Sequence, residues 1–348
     1  QLRNFLLSFA HRGRLHAEVH QFKTDEGGTR SQRFSYSSPP LQQMEGIEEG
    51  PDKKPVPEGT EPWQFYGGIG GAIRSCFLPE KGQAWLSPDY SQQEPRMTVH
   101  FAAVCRMPGA DEAVRRWHEN PSLSYHTMVQ EMTGLNYKQS KILNLAATYG
   151  KRAKSLSYEM GISVEEAEEL LEQYHSRLPY VKPLEELCKT KADQRGFIRL
   201  IDGARMHYNL WEGPYFEESE RWMAQKAGHR MDACGREEAL ARQRMEDHPW
   251  AGKKLRRADT RKGLNNLIQG SAARQTKRAV RDMARAGILP LLQMHDEIPT
   301  SVSSGAEVEL VSQIMRDAIP LRVPVLVDAE VGRNWGEAKY SWAEYEEK

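Results

Sequence analysis

Residues 84–96 read Ala84-Trp85-Leu86-Ser87-Pro88-Asp89-Tyr90-Ser91-Gln92-Gln93-Glu94-Pro95-Arg96, and residues 289–297 read Leu289-Pro290-Leu291-Leu292-Gln293-Met294-His295-Asp296-Glu297. Each is an apolar, strand-like run that ends on acid. Carboxylates at strand ends are well placed to share a cleft. Brought together they repel, and a divalent cation relieves the repulsion. Oxygen ligands of this kind suit magnesium, which keeps waters and accepts phosphate oxygens as further ligands. By themselves, two aspartates this far apart in sequence carry no argument, because most such residues are surface or cap carboxylates; the residues around them decide.

Working outward, residues 94–190 are expected to be mainly helical, with Leu, Ala and Glu at helical spacing and a break at Asn120-Pro121. Residues 14–22 read as an alternating strand after a helix end, and 24–38 as a polar loop. Residues 45–71, rich in Pro, Gly and Glu, read as an exposed insertion. Gly196–Ile201 reads as a hairpin strand closing at Asp202-Gly203. Residues 212–262 are highly charged and read as helical. A helix over 264–286, a strand over 289–294, a last helix and a strand over 324–331 complete the chain. No internal repeat is visible. The outline is α+β: an antiparallel sheet carrying acids, with a helical block inserted between its strands.

Lys141, Leu145 and Tyr149 stand at i, i+4 and i+8, on one face of the expected helix. A lysine there can neutralise triphosphate oxygens as a point charge. A stripe at this spacing is ordinarily core packing, and only the neighbouring motifs lift the reading above that.

The chain has 348 residues, of which 39% are hydrophobic and 28% charged, and its formal net charge is zero. Proteins that grip duplex DNA by its phosphates usually carry a basic excess, so bulk charge does not favour nucleic acid. Charge is concentrated locally, basic over 253–262 and acidic over 165–169; each run alone reads as a solvated helix face. Cys76, Cys105, Cys188 and Cys234 include no C-x-x-C pair, which argues against a zinc cluster or disulfide framework and fits a reducing cytoplasm. No apolar run approaches the ~18 residues of a membrane span, and the N-terminus shows no signal-peptide pattern. A cytoplasmic location is expected.

Asp89-Tyr90-Ser91-Gln92-Gln93-Glu94-Pro95-Arg96 resembles motif A of the family A, DNA polymerase I-like polymerases, and Gln-Glu-Pro-Arg after Ser-Gln is similar to its phage branch. Gln293-Met294-His295-Asp296-Glu297 resembles motif C. Lys141, followed eight residues later by Tyr149-Gly150, resembles motif B. The resemblance runs from Gly13 to about Ala338. It implies a right-hand palm built on the antiparallel sheet and a helical fingers subdomain. Palm would fill 1–100, fingers 101–195 with the motif B helix over about 137–150, and the remainder of both 196–348. The chain begins where the family's thumb would end, so a thumb and an exonuclease domain are expected to be absent, and another chain or replisome proteins would supply what they do.

The resemblance also implies roles. Asp89 and Asp296 would bind two Mg2+ ions, which ~3.5–4 Å apart activate a primer 3′-hydroxyl and stabilise leaving pyrophosphate. Glu297 would be an accessory carboxylate, His295 would lie near the primer end, and Glu94 would exclude a ribose 2′-hydroxyl. Gln92, His126, Lys138, Lys141, Leu145 and Tyr149 would contact the incoming dNTP. Arg33, Gln42, Arg261, Asn265 and Gln269 would contact primer–template DNA, several through minor-groove acceptors that all correct pairs share. Three departures stand out. Tyr137 occupies the position of the family's motif B arginine. Leu145 replaces the usual Phe or Tyr over the sugar. Arg274 stands where the family often has Asp. The enzyme alternative is a single-subunit RNA polymerase, against which Glu94 and Glu297 argue; the non-enzymatic one is a degenerate nucleic-acid-binding replisome module, against which the intact Asp89 and Asp296 argue.

Overall fold

Ala84, Trp85 and Leu86 are buried on both faces of a strand, Ala84–Tyr90, that forms the centre of a three-stranded sheet in the computed structural model. Residues 6–23, 28, 29, 31–44, 68–148, 151–214 and 223–348 are described. Thr300–Val302 and Val327–Gly332 flank the central strand, both antiparallel. The register sets Asp328 opposite Asp89 and Val331 opposite Leu86. One face of this sheet is closed by Ala279, Met283, Val311 and Met315 from two helices, Gly263–Arg285 and Gly305–Asp317. Full burial of each large apolar side chain stabilises by about 1.5–3 kcal/mol. The Tyr90 hydroxyl donates to the Met315 carbonyl at 2.8 Å, so its one polar atom is satisfied inside that core. On the other face Trp85 stacks on Trp335, with ring centroids 6.0 Å apart.

The chain divides into two compact units, one comprising Gln1–His100, Val114–Ser122 and Gln269–Lys348, the other Phe101–Ala113 and Leu123–Ile268. The first holds the sheet. The second is helical through Tyr125–Thr133, Tyr137–Thr148, Ala153–Met160, Val164–Arg177 and Val181–Arg195. Ser163 and Glu166 form a reciprocal capping box that starts the fourth of these. Tyr125, Tyr174 and Tyr180 are buried together, and the Tyr174 hydroxyl donates to Asn144 Oδ1 at 2.8 Å.

Several sequence expectations need correction. Residues 289–294 do not form a regular strand: only isolated bridges occur, at Pro290 and Met294. Pro290 has no N–H to give to a ladder. The strand expected over 14–22 is two short pieces, Arg14–Leu15 and Glu18–His20, with different partners. Of the expected insertion, 45–67 lie outside the described residues, and 68–74 form a helix, Gly68–Arg74. This helix meets Gly336, where an added Cβ would come within 2.1 Å of Ser75 Oγ, so only glycine permits the approach. Among its described residues, the charged stretch 212–262 is largely not helical. It contains a helix, Arg236–Arg244, and a strand pair, Trp211–Glu212 with Arg256–Arg257, around Met231, Cys234, Ala239 and Trp250. Gly228 and Gly252, both at positive φ, interrupt any longer helix there.

Candidate active site

A tight hairpin carries the second acid run. Met294 N–H donates to the Glu297 carbonyl at 2.9 Å, and Glu297 N–H donates back at 2.8 Å. Between them lie His295 and Asp296, with His295 in the left-handed region at φ +56°. A side chain held there costs of order ~1–3 kcal/mol and persists only where its surroundings over-determine it. Those surroundings are present. The Gln293 side-chain amide donates to the His295 carbonyl, Gln293 N–H donates to the Tyr36 hydroxyl at 2.9 Å, and Ile298 N–H donates to the Pro88 carbonyl at 3.1 Å. The last bond docks the hairpin on the central strand, so Glu297 bridges Asp89 directly.

Asp89, Asp296, Glu297 and Asp328 therefore converge on one cleft of about 580 Å³, lined also by Arg74 and Trp335. Burial, then the neighbouring Asp296, Glu297 and Asp328, push the Asp89 carboxyl up to about 8. Burial raises Asp296 as well, opposed by Arg33 and His295 and reinforced by Glu94. Glu297 is raised by burial but held by the Ser87 hydroxyl, the Arg74 charge and Trp335, whose Nε1–H donates to Oε1 at 3.1 Å. Asp89 Oδ1 is buried and has no hydrogen-bond partner. An orphaned acceptor of this kind costs about 1–3 kcal/mol. The donor set fits a hard divalent cation: carboxylate oxygens that repel one another, one of them unpartnered. Among the described residues no group of three or more His, Cys, Asp or Glu forms a metal cage. Magnesium needs none where one or two carboxylates and substrate phosphates suffice.

The remaining residues singled out in the sequence fall as follows. Gln42 lines the cleft, with its Nε2–H donating to the Phe34 carbonyl at 2.9 Å. Arg33 and Glu94, read separately from the sequence, form an ion pair with each other. Gln92, at φ +52°, lies in the turn between the central strand and the helix Gln93–Val104. Gln93 anchors that helix by donating to Gln275 Oε1 at 3.1 Å, and Arg96 reaches the Ser91, Pro121 and Pro324 carbonyls. Gln269 belongs to the first unit and does not line the cleft. In the second unit Lys141 and Arg261 are exposed, and Asn265 Oδ1 is buried without a partner. Tyr149 and the side chains of His126, Lys138 and Leu145 lie outside what the structure describes.

Sequence reading singles out neither Arg74 nor Trp335 as a site residue. Arg74 lies over the Trp335 ring at 4.5 Å, and together they brace Glu297. Asp328, in the run Asp328-Ala329-Glu330, reads from the sequence as structural; the strand register sets it opposite Asp89 and in the cleft.

A family model described as DNA polymerase family A matches residues 3–337. The chain belongs to that family. A DNA-directed DNA polymerase of Pseudomonas phage M6 is 29% identical over 306 residues, covering 76% of this chain and 40% of that protein. DNA polymerase DpoZ of Vibrio phage phiVC8 is 24% identical over 360 residues, covering 94% and 46%. The thermostable DNA polymerase I of Thermus aquaticus is 25% identical over 335 residues, covering 94% and 33%. The chain thus spans less than half the length of each of these relatives. Among solved structures, the POL domain of Pol1 from M. smegmatis, in complex with DNA primer-template and dNTP, matches with a TM-score of 0.65 and 25% identity, covering 97% of this chain and 51% of that one. No helix among the described residues is long and apolar enough to cross a membrane.

Proposed function

We propose that this chain carries out template-directed DNA synthesis, joining a deoxynucleotide to a primer 3′-hydroxyl with release of pyrophosphate. One observation carries the reading: Asp89 and Asp296, from runs far apart in sequence, meet in one cleft with Asp89 Oδ1 left unpartnered. Asp89 and Asp296 would hold magnesium, as two ions, which when bound activates the attacking hydroxyl and offsets charge on the leaving group. Glu297 keeps the hairpin seated through Trp335 and Ser87 and adds negative charge beside Asp89. His295, exposed at the tip, would meet the primer end. Arg33, Gln42, Asn265 and Gln269 would donate to the groove acceptors common to all correct pairs, with Arg261 on the DNA backbone. Lys141, Lys138 and His126 would bind the triphosphate, Gln92 and Leu145 would pack on the sugar side, and Tyr149 would lie beside the templating base. Glu94 would be the sugar gate. Palm would comprise 1–100 and fingers 101–195, with the remainder of both in 196–348. The phage relatives support a place in phage-type replication.

Primer extension in magnesium tests the reading. Asp89→Ala and Asp296→Ala should each lower extension by about 10³-fold or more, the equivalent of several kcal/mol of transition-state stabilisation. Neither should weaken primer–template binding more than slightly in a gel-shift titration. Near-parental extension by either variant, or no extension by the parent chain, would overturn the assignment.

A further inference from the structure

We propose that Arg33 is the positioning residue for Glu94, so that sugar selection depends on the guanidinium that holds the gate's carboxylate. The inference rests on Glu94 being the sugar gate. A terminal nitrogen of Arg33 bonds a Glu94 carboxylate oxygen, and both side chains are half-buried, at 27% and 20% exposure.

The two partners are fixed unequally. The backbone of Glu94 is set by the first turn of its helix, which Gln93 pins to Ala272, Gln275 and Thr276. Its side chain still has three rotatable bonds, and a gate works only if its carboxylate stays in one place. Arg33 is anchored from behind. The Thr29 hydroxyl donates to the Arg33 carbonyl at 2.9 Å, and Gln32 sits at φ +63° in a turn closed by its N–H to the Thr29 carbonyl at 3.2 Å. A planar, permanently charged fork on a pinned backbone suits the task of holding a carboxylate, better than a mobile ammonium would.

The guanidinium has five N–H donors, so a nitrogen engaged with Glu94 leaves others for a minor-groove acceptor.

Single-nucleotide insertion on a saturating primer–template tests this, read as the ratio of ribonucleotide to deoxynucleotide efficiency. Glu94→Ala should raise the ratio at least tenfold. Arg33→Ala should raise it by about tenfold, within the range expected of residues in contact. In the double variant, removing Arg33 should add nothing to the effect of Glu94→Ala. Arg33→Lys, which keeps the charge and the fold, should fall between parent and Arg33→Ala. An Arg33 that serves only structure or DNA affinity would lower both nucleotides alike and leave the ratio fixed. That result, with Glu94→Ala still relaxed, overturns the proposal and spares the gate. Effects that multiply in the double variant overturn it as well. An unchanged ratio in Glu94→Ala removes the gate and this proposal together.

Discussion

The acid cleft and the charged stretch 211–258 are both dense in ionisable residues, and they use them in opposite ways. In the cleft, carboxyls face one another out of water, and Asp89, Asp296 and Glu297 are all pushed above their ordinary range. In the charged stretch, acids meet cations in solvent. The hydrogen bond from Arg230 draws the exposed Asp232 carboxyl down, and Arg256 pairs with Glu212 at 3.0 Å. Charges arranged to repel, at a cost to the fold, mark a candidate binding site. Charges that pair in water cover a surface and contribute little to stability.

The comparison breaks first at Arg242, where the charged stretch resembles the cleft in burial. Its side chain is 7% exposed, donates to the Arg230 and Asp232 carbonyls at 2.8 Å and to Glu238 at 2.6 Å, and lies over the Trp250 ring at 5.2 Å. Arg242→Ala removes that packing and strands two carbonyls, and should destabilise this stretch by about 3 kcal/mol. Limited proteolysis should then cut within 211–258 well before the rest of the chain. An unchanged digestion pattern would show that the stretch holds together without its buried cation.

A smaller effect of opposite sign is expected at Asp89. Its carboxyl sits at about 8 in the fold against an ordinary 3.8. Between those values the folded protein keeps a proton that the unfolded chain has released, so stability falls as pH rises through the window. In metal-free buffer Asp89→Asn should therefore melt above the parent, by about 2–4 °C at pH 8.5 for ~1 kcal/mol in a chain of this size. The gap should shrink toward pH 5. Added magnesium should narrow it at pH 8.5, because a ligand of the folded parent stabilises it by mass action. A variant that melts below the parent at pH 8.5 would mean that the cleft acids are not in conflict.

The smallest effect should come from the exposed pair. Arg230→Ala should move the melting temperature by no more than about 1 °C, as for most surface ion pairs. A larger loss would mean that the Arg230 guanidinium, beside Asp232 and Glu238, holds the stretch together rather than merely covering its surface.

Much of this was legible in the residues themselves. Ala84–Leu86 had to be a buried strand because three apolar residues precede an acid, and the long helix over 264–286 was written in its spacing. Asp89 and Asp296 could be paired because each ends an apolar run, and the motifs around them named the family. Local physics also misled. Residues 289–294 are apolar enough for a strand, yet they pair only through isolated bridges, and long-range bonds to Tyr36 and Pro88 shape the segment instead. The charged stretch 212–262 looked helical because charged residues tolerate helices, while its buried Trp250 and Met231 impose a small fold of their own.

What the sequence by itself determined is which residues could do chemistry: carboxylates at strand ends, a lysine on a helix face, donors at a spacing of four. What only the tertiary structure decided is which of them meet. Strand register set Asp328 across from Asp89, Gly336 let Arg74 and Trp335 close over Glu297, and Arg33 found Glu94 across the chain. The physical reason is that side-chain chemistry is local, whereas pairing across a sheet, close approach at a glycine and an ion pair between distant segments depend on backbone geometry fixed by the whole core.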